Sequence, residues 1–409
     1  IFTSYICRTL DSVHRHLDQK LKERLSEDRY RRLPRAQGLA DFCSNDYLGL
    51  ARSEELKENL RKELSLHSIY PVGSTGSRLI SGNSAYACQL EEEIALFHHA
   101  AAGLLFNSGY LANLALFSTV PQRGDVVICD EYIHASVIDG VRLSWATRYN
   151  FRHNDPGSLE EKLRLARKIM GQTEKTTILA ERTGEISRSG AAGRNSIFIA
   201  AESLYSMDGD HAPLRELAEL AEEYDARLIV DEAHAGGIYG KNGRGLVPHH
   251  GLEERVFARV YTFGKALGTH GAIVLGSKML KDYLVNFARP FIYTTALPFH
   301  DLAAVKCAYE MLAEHPRLQQ ELQEKTSLFA RLAGRHPRIR PRPGPLQTVA
   351  VPGNKAAKAA SDALRQKGFD VRAILSPTVP EGSERLRICL HLYNTEEEIS
   401  ALVAALETL

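Results

Sequence analysis

The sequence predicts an α/β protein: a mostly parallel sheet covered by helices, followed by a smaller α+β domain at the C-terminal end. Two observations carry that class. From about residue 85 onward, short runs apolar on both faces alternate with helix-like stretches, the pattern of strands buried beneath helices in a parallel sheet. Two charged residues, Asp231 and Lys265, fall where such runs end, and open α/β sheets bind ligands at the carboxyl ends of their strands. A chain of 409 residues can bury a large core divided between two or three domains.

In chain order, residues 8–30 are rich in Lys, Arg, Glu and Asp with apolar positions at helical intervals, which predicts an amphipathic helix. A short strand near Ala40–Phe42 leads into the polar turn Ser44-Asn45-Asp46-Tyr47-Leu48-Gly49-Leu50. Strands are predicted at Ala101–Phe106, Val126–Cys129, Thr177–Leu179, Ser196–Ala200, Arg227–Val230 and Val260–Phe263. A helical stretch over 299–335 precedes the Pro-rich segment Arg340-Pro341-Arg342-Pro343-Gly344-Pro345. A strand (Gln347–Val351), a helix (Ala356–Lys367), strands around Val371 and Leu386–Leu390, and a terminal helix then complete the chain. The expected division is an N-terminal helix and short strand at 1–45, a large domain at 46–298 and a small α+β domain at 299–409.

Composition narrows the function classes. With 51 basic and 50 acidic residues the formal net charge is +1, which gives no electrostatic reason to expect nucleic acid or an anionic membrane. No apolar run approaches the ~20 residues of a membrane span. Ile1–Cys7 is apolar but short, without a basic start or a small-residue cleavage site, and a few native residues are expected ahead of it because the chain begins without Met. The six cysteines are scattered, with no CxxC pair, and read as thiols in a reducing cytoplasm. The adjacent pairs His98-His99 and His249-His250 lack the i, i+4 spacing of two ligands on one helical face, so no metal site is expected.

The chemistry concentrates at two strand ends. Lys265 lies in Tyr261-Thr262-Phe263-Gly264-Lys265-Ala266-Leu267-Gly268, and Asp231 closes Leu228-Ile229-Val230-Asp231 ahead of Glu232-Ala233-His234. Alone, a lysine between glycines reads as a surface residue. Together the two suit a carbonyl cofactor with a pyridine ring, which needs an amine to hold its aldehyde and a carboxylate to keep its ring nitrogen protonated. Asp231 could equally cap a helix or bind Mg²⁺, but the phosphate-binding GxxxxGK[ST] loop that magnesium reading wants is absent. His234 could face the same pocket or be an ordinary loop histidine. Ser108-Gly109-Tyr110 precedes the helical Leu111–Phe117, so it offers either an ordinary N-cap or a phosphate site at a helix N-terminus, with Thr262 able to add a hydroxyl. His134, Asn45, Ser206 and Arg387 are unremarkable singly, and Arg387 reads as an outward, solvated arginine of an alternating strand.

Seven segments in order, SNDYLGL at 44–50, FNSGYLAN at 106–113, HAS at 134–136, SLYSMDGD at 203–210, VDEAH at 230–234, TFGKALG at 262–268 and PTVPEGSERLRI at 377–388, resemble the α-oxoamine synthases, a branch of the fold type I pyridoxal-phosphate enzymes. The blocks at 288–298 and 268–272 look most like the biotin-pathway members of that family. The resemblance implies a large domain with a mostly parallel seven-stranded sheet and a smaller α+β C-terminal domain. It also implies pyridoxal phosphate held covalently by Lys265, with Asp231 at the ring nitrogen and His134 on the ring face. His234 and Ser206 are placed at the phenolic oxygen, and Ser108, Gly109, Tyr110 and Thr262 at the phosphate. Thr294 and Thr295 are placed at the phosphate of a neighbouring subunit, which implies a homodimer with shared active sites. Asn45 and Arg387 are assigned to the amino-acid carboxylate.

The reaction so implied is a decarboxylative Claisen condensation of a small amino acid with an acyl-CoA or acyl-carrier-protein thioester. For the biotin-pathway members the substrates are L-alanine and pimeloyl-CoA or pimeloyl-carrier protein, and the product is 8-amino-7-oxononanoate. Sister reactions, glycine with acetyl-CoA or serine with a long acyl-CoA, are the alternative. A catalytically silent scaffold subunit is a remoter one, because such relatives usually lose the lysine.

Overall fold

The computed structural model describes residues 12–33, 38–67, 70–182, 195–334 and 338–409. The reading of Ile1–Cys7 lies outside them. The amphipathic N-terminal segment forms α1, Ser12–Ser26. The larger compact unit comprises Asn45–Glu324 with His391–Tyr393. Its centre is a seven-stranded sheet of β1 (Ala102–Phe106), β2 (Val126–Asp130), β3 (Thr147–Phe151), β4 (Ile197–Glu202), β5 (Ala226–Asp231), β6 (Ala258–Thr262) and β7 (Ala272–Gly276). The spatial order is β1-β7-β6-β5-β4-β2-β3. Every neighbouring pair is parallel except those made by β7, which runs antiparallel to both β1 and β6.

The apolar runs become strands because both faces are covered. Ile197, Ile199 and Ala201 of β4 enter one core with Leu228 and Val230 of β5. The intervening Phe198 and Ala200 enter the other with Ile229 and Val260. Such alternation follows from the two-residue period of a strand. Each Leu, Ile or Phe so buried is worth roughly 1.5–3 kcal/mol relative to exposure. The second core also takes Ala112, Ala115 and Leu116 of α2, Gly109–Thr119. This layer puts α2 over the face from which Asp231 projects.

Two strands escaped the sequence reading, and one expected strand is not there. β3 is an edge strand that is mostly half-buried or exposed, so Thr147-Arg148-Tyr149-Asn150 carries little apolar signal. β7 is apolar throughout, but it follows β6 without an intervening helix and so breaks the alternation the reading relied on. Thr177–Leu179 is helical rather than extended, because α4 runs unbroken over Pro156–Arg182. Pro156 sits at its first position, where a missing N–H costs nothing, and the Asp155 carboxylate accepts from Ser158 N at 2.9 Å. Three β-branched or apolar residues do not overturn a helix already nucleated over five turns.

The smaller compact unit comprises Ile1–Ser44, Lys325–Leu390 and Asn394–Leu409. Within it, β8 (Leu346–Ala350), β9 (Arg372–Ile374) and β10 (Arg385–Cys389) form an antiparallel sheet with β10 in the middle. Ala40–Asp41 pairs in parallel with Phe369–Asp370. Its core gathers Phe42, Phe329, Leu386, Ile388 and Leu402. The helix Phe299–Glu314, which the sequence division assigned to the C-terminal domain, falls in the larger unit. Among the described residues no helix is long and apolar enough to cross a membrane.

Candidate active site

The carboxyl ends of β4, β5 and β6 open into a cavity of about 240 Å³ within the larger unit. Its walls include Asn45, Ser108, Gly109, Tyr110, His134, Asp231, His234, Thr262 and Lys265, all singled out from sequence. Asn113, Glu202, Ala233, Gly264, His270 and Gly271 complete the lining.

Asp231 ends β5 and is nearly buried. One carboxylate oxygen accepts from Asn113 Nδ2 at 2.7 Å and the other from Ala233 N at 2.8 Å. A buried carboxylate held by two donors keeps its orientation. Asn113 Nδ2 also donates to Ser136 Oγ at 3.1 Å. Ser136 Oγ in turn lies 2.7 Å from His134 Nδ1, to which Ser136 N donates at 3.2 Å. Because Nδ1 accepts a backbone N–H, the neutral ring carries its proton on Nε2. Burial and the Lys265 charge lower the His134 pKa against the pull of Asp231, so the ring is neutral at neutral pH. Its surface is open to solvent through the cavity mouth.

The residue that follows β5, Glu232, faces away into the fold and is wholly buried. It accepts from Ser203 Oγ at 2.7 Å, Leu246 N at 3.0 Å and Val247 N at 2.5 Å. It thereby anchors the chain that follows His234, a structural acid beside a site acid. His234 Nδ1 shares a 2.9 Å hydrogen bond with Tyr47 Oη, and Tyr47 is fully buried. Sequence reading named the segment containing Tyr47 but gave that residue no role.

Opposite Asp231, Ser108 caps α2, its hydroxyl accepting from Leu111 N at 3.3 Å. A Cβ built on Gly109 would run into Thr262 Cγ2, so only glycine lets the helix N-terminus approach β6 this closely. The free N–H groups there and the positive end of the helix dipole suit an anion. Lys265 lies three residues beyond β6 in a half-buried position, not on open surface. Its loop is closed by Gly268 N to Lys265 O, Thr269 N to Phe263 O and Phe263 N to Gly271 O, each 2.9 Å. Gly268 has φ +64, and its backbone packs against Ala51 with no room for a side chain.

Outside the cavity, His153 bridges Asp130 (Nδ1 to Oδ1, 2.9 Å) and Asp210 (Nε2 to Oδ2, 3.0 Å). Burial opposes its charge, but the bonds to the two carboxylates win and lift it to about 10. This bridge ties the loop leading to His134 to the loop containing Ser206.

Four expected site residues do not line the Lys265 cavity. Ser206 lies beside it, its backbone N–H bonded to the Glu202 carboxyl. Thr294 lines a separate small cavity with Arg78 and Phe291, and Thr295 O accepts from Asn107 Nδ2 at 2.9 Å. Arg387 belongs to the smaller unit and is buried at 8 % exposure, not outward and solvated. It occupies the middle strand β10, paired with Arg372 and Thr348, so neighbours cover it on both sides.

The donor set fits pyridoxal phosphate. A primary amine and a buried, doubly anchored carboxylate face one cavity, and a glycine-floored helix N-terminus meets a threonine at its wall. Asn113 Oδ1 is a buried polar atom with no partner in the protein, as expected where a polar ligand belongs.

Comparison with known proteins agrees with this chemistry. Residues 37–406 match the family described as aminotransferase class I and II. The chain is 42 % identical over 383 residues to an 8-amino-7-oxononanoate synthase of Emericella nidulans, covering 90 % of this chain and 88 % of that one. It is 39 % identical over 368 residues to the 8-amino-7-oxononanoate synthase of Methylococcus capsulatus, with the same coverage. Among solved structures, the 8-amino-7-oxononanoate synthase of Francisella tularensis superposes with a TM-score of 0.70 at 28 % identity, over 90 % of this chain and 97 % of that one. A Sphingomonas wittichii serine palmitoyltransferase shares the fold, with a TM-score of 0.78 at 24 % identity over 90 % and 86 % of the two chains.

Proposed function

The chain belongs to the aminotransferase class I and II family, in its α-oxoamine synthase branch, and on that premise we propose that it condenses L-alanine with a pimeloyl thioester to give 8-amino-7-oxononanoate, CO₂ and the free thiol. The geometric observation behind the reading is that Lys265 and Asp231 face one cavity walled by a helix N-terminus. The choice of alanine and pimeloyl thioester rests on relatives of that name at 42 % and 39 % identity.

Bound pyridoxal phosphate supplies an aldehyde that takes amines covalently and a ring that accepts an electron pair. The protein's part is to hold and to move protons. Asp231, oriented by Asn113 and Ala233, would keep the pyridine nitrogen protonated. Lys265 holds the cofactor between turnovers. With substrate bound, the Lys265 amine would be the group placed to accept the α-proton. Neutral His134 would wall the ring without adding positive charge beside Lys265. Ser108, Gly109 and Thr262 receive the phosphate, and His234, set by Tyr47, receives the phenolic oxygen. Thr294 and Thr295, outside the Lys265 cavity of their own chain, are assigned to the phosphate of a second copy, so the working enzyme is a homodimer.

Two measurements test this reading. Borohydride treatment of the pyridoxal-phosphate-loaded protein should fix the cofactor's mass on the peptide containing Lys265. A panel of alanine, glycine and serine against pimeloyl-, acetyl- and palmitoyl-CoA, followed by thiol release, should favour alanine with pimeloyl-CoA. Preference for glycine or serine would assign the chain to a sister reaction, and absence of the lysine adduct would remove the enzyme reading altogether.

A further inference from the structure

Glu202 is the acid of the cavity to which neither the sequence motifs nor the mechanism gives a role. It ends β4 in register with Asp231 on the parallel neighbour β5, so both side chains leave the same face of the sheet. It lines the Lys265 cavity and is 4 % exposed. Its carboxyl accepts two backbone N–H groups, one from Ser206 and one from His134. Those donors lie on separate loops. One enters α3, Ala135–Leu143, with His134 as its N-cap, and the other follows β4 itself. The His153 bridge ties the same two loops farther along, at Asp130 and Asp210, whereas Glu202 meets the backbone of His134 and Ser206 themselves.

We propose that Glu202 is a positioning residue of this site, whose carboxyl gathers the backbone of His134 and of Ser206 and sets both against Asp231. The inference rests on the proposed function, because the positions that matter are those of the His134 ring and the Ser206 hydroxyl around the cofactor. The charged and titratable groups around Glu202 are Asp231 on β5, Lys265 beyond β6, His134 ahead of α3 and Tyr205 on its own loop, with His234 and His270 on the same cavity wall. Burial first, and then the Asp231 charge, push Glu202 up to about 8, against Lys265 and the two N–H donors. Glu202 therefore spends neutral pH largely as the uncharged acid, beside Asp231 on the neighbouring strand. Above pH 8 a second carboxylate appears there and becomes the stronger acceptor for both N–H groups.

The test compares wild type, Glu202→Gln and Glu202→Ala as full-length chains, with and without pyridoxal phosphate. Amide hydrogen exchange is followed in peptides spanning 131–138 and 203–209, corrected for intrinsic rates. In wild type, protection of the His134 and Ser206 amides should rise as pH passes 8. Glu202→Gln, which keeps an acceptor oxygen but cannot ionise, should be protected without that rise. Glu202→Ala should lose protection in both peptides and none elsewhere, and its affinity for pyridoxal phosphate should fall about 10-fold, the weight of a hydrogen bond to a chargeable group. Should the alanine variant fail to fold, the pH dependence of wild type against glutamine decides. The inference is overturned if alanine exchanges like wild type, or if glutamine retains the rise or wild type lacks it. Because exchange is also read without cofactor, failure of the protein to take up pyridoxal phosphate would count against the proposed function alone.

Discussion

Tyr47 Oη stands 2.9 Å from His234 Nδ1, and both side chains are buried. The contact joins segments 187 residues apart in sequence, and it fixes which way the histidine ring faces. The rings also meet edge to face at 6.2 Å, so packing and the hydrogen bond set the same orientation.

Tyr47→Phe keeps the ring and removes only the hydroxyl. It is expected to cost about 1 kcal/mol of stability, the net worth of one hydrogen bond, measured by urea denaturation. Turnover should fall by more than the stability loss explains, because His234 is freed to rotate. Unchanged kcat would separate His234's orientation from catalysis.

Asp231→Asn preserves shape and removes charge. The loss of a charged hydrogen bond, about 1.5–3 kcal/mol, corresponds to roughly one to two decades in kcat at 1.36 kcal/mol per decade. Steady-state kinetics at saturating cofactor reads it, and a drop seen only in cofactor affinity would assign Asp231 to binding.

Gly109→Ala introduces the Cβ that meets Thr262 Cγ2. Overpacking of this kind costs about 1–3 kcal/mol, and cofactor affinity should fall with it. Thr262→Ser removes the offending methyl, so the alanine should be tolerated much better in that background. Additive costs in the double variant would place the strain elsewhere.

His153 carries a pH prediction. Its folded pKa of about 10 lies above its ordinary 6.5, so the native state binds the proton more tightly than the unfolded chain. The stability it contributes is full below about pH 6.5 and is lost as pH rises towards 10. With the ring partly open to solvent, the contribution is about 2 kcal/mol. Denaturation of wild type and His153→Asn at pH 6, 8 and 10 should show a gap that closes with rising pH; a constant gap would sink the ion-bridge account.

Much of this site was legible because its residues stand where apolar runs stop. Asp231 and Lys265 interrupt or follow buried strands, and a charge at such a point has few reasons to be there. Glu202 carries the same signal, an acid closing Ile197-Phe198-Ile199-Ala200-Ala201, but the SLYSMDGD segment begins at Ser203 and leaves it outside. Asn113 gave no signal, since an amide inside a helix is visible as a site residue only once the helix is docked over Asp231. Arg387 misled because alternation marks which face a side chain takes but not whether that face is covered. In the fold, β3 was hidden by its edge position and β7 by its antiparallel return.

That return bears on timing. Only Phe263 to Gly271 separate β6 from β7, so Lys265 is mounted on a short hairpin between two strands of the central sheet, its loop laced by backbone bonds and pressed against Ala51. The mount has little freedom to flap. Rotamer changes of exposed side chains take picoseconds to nanoseconds, loop motions nanoseconds to microseconds, and domain movements microseconds to milliseconds. Under the proposed function, passing from anchor to proton acceptor would be a movement of the Lys265 side chain on a stationary loop. On that reading the loop itself adds no slow step, and added viscosogen should leave the chemical step unchanged.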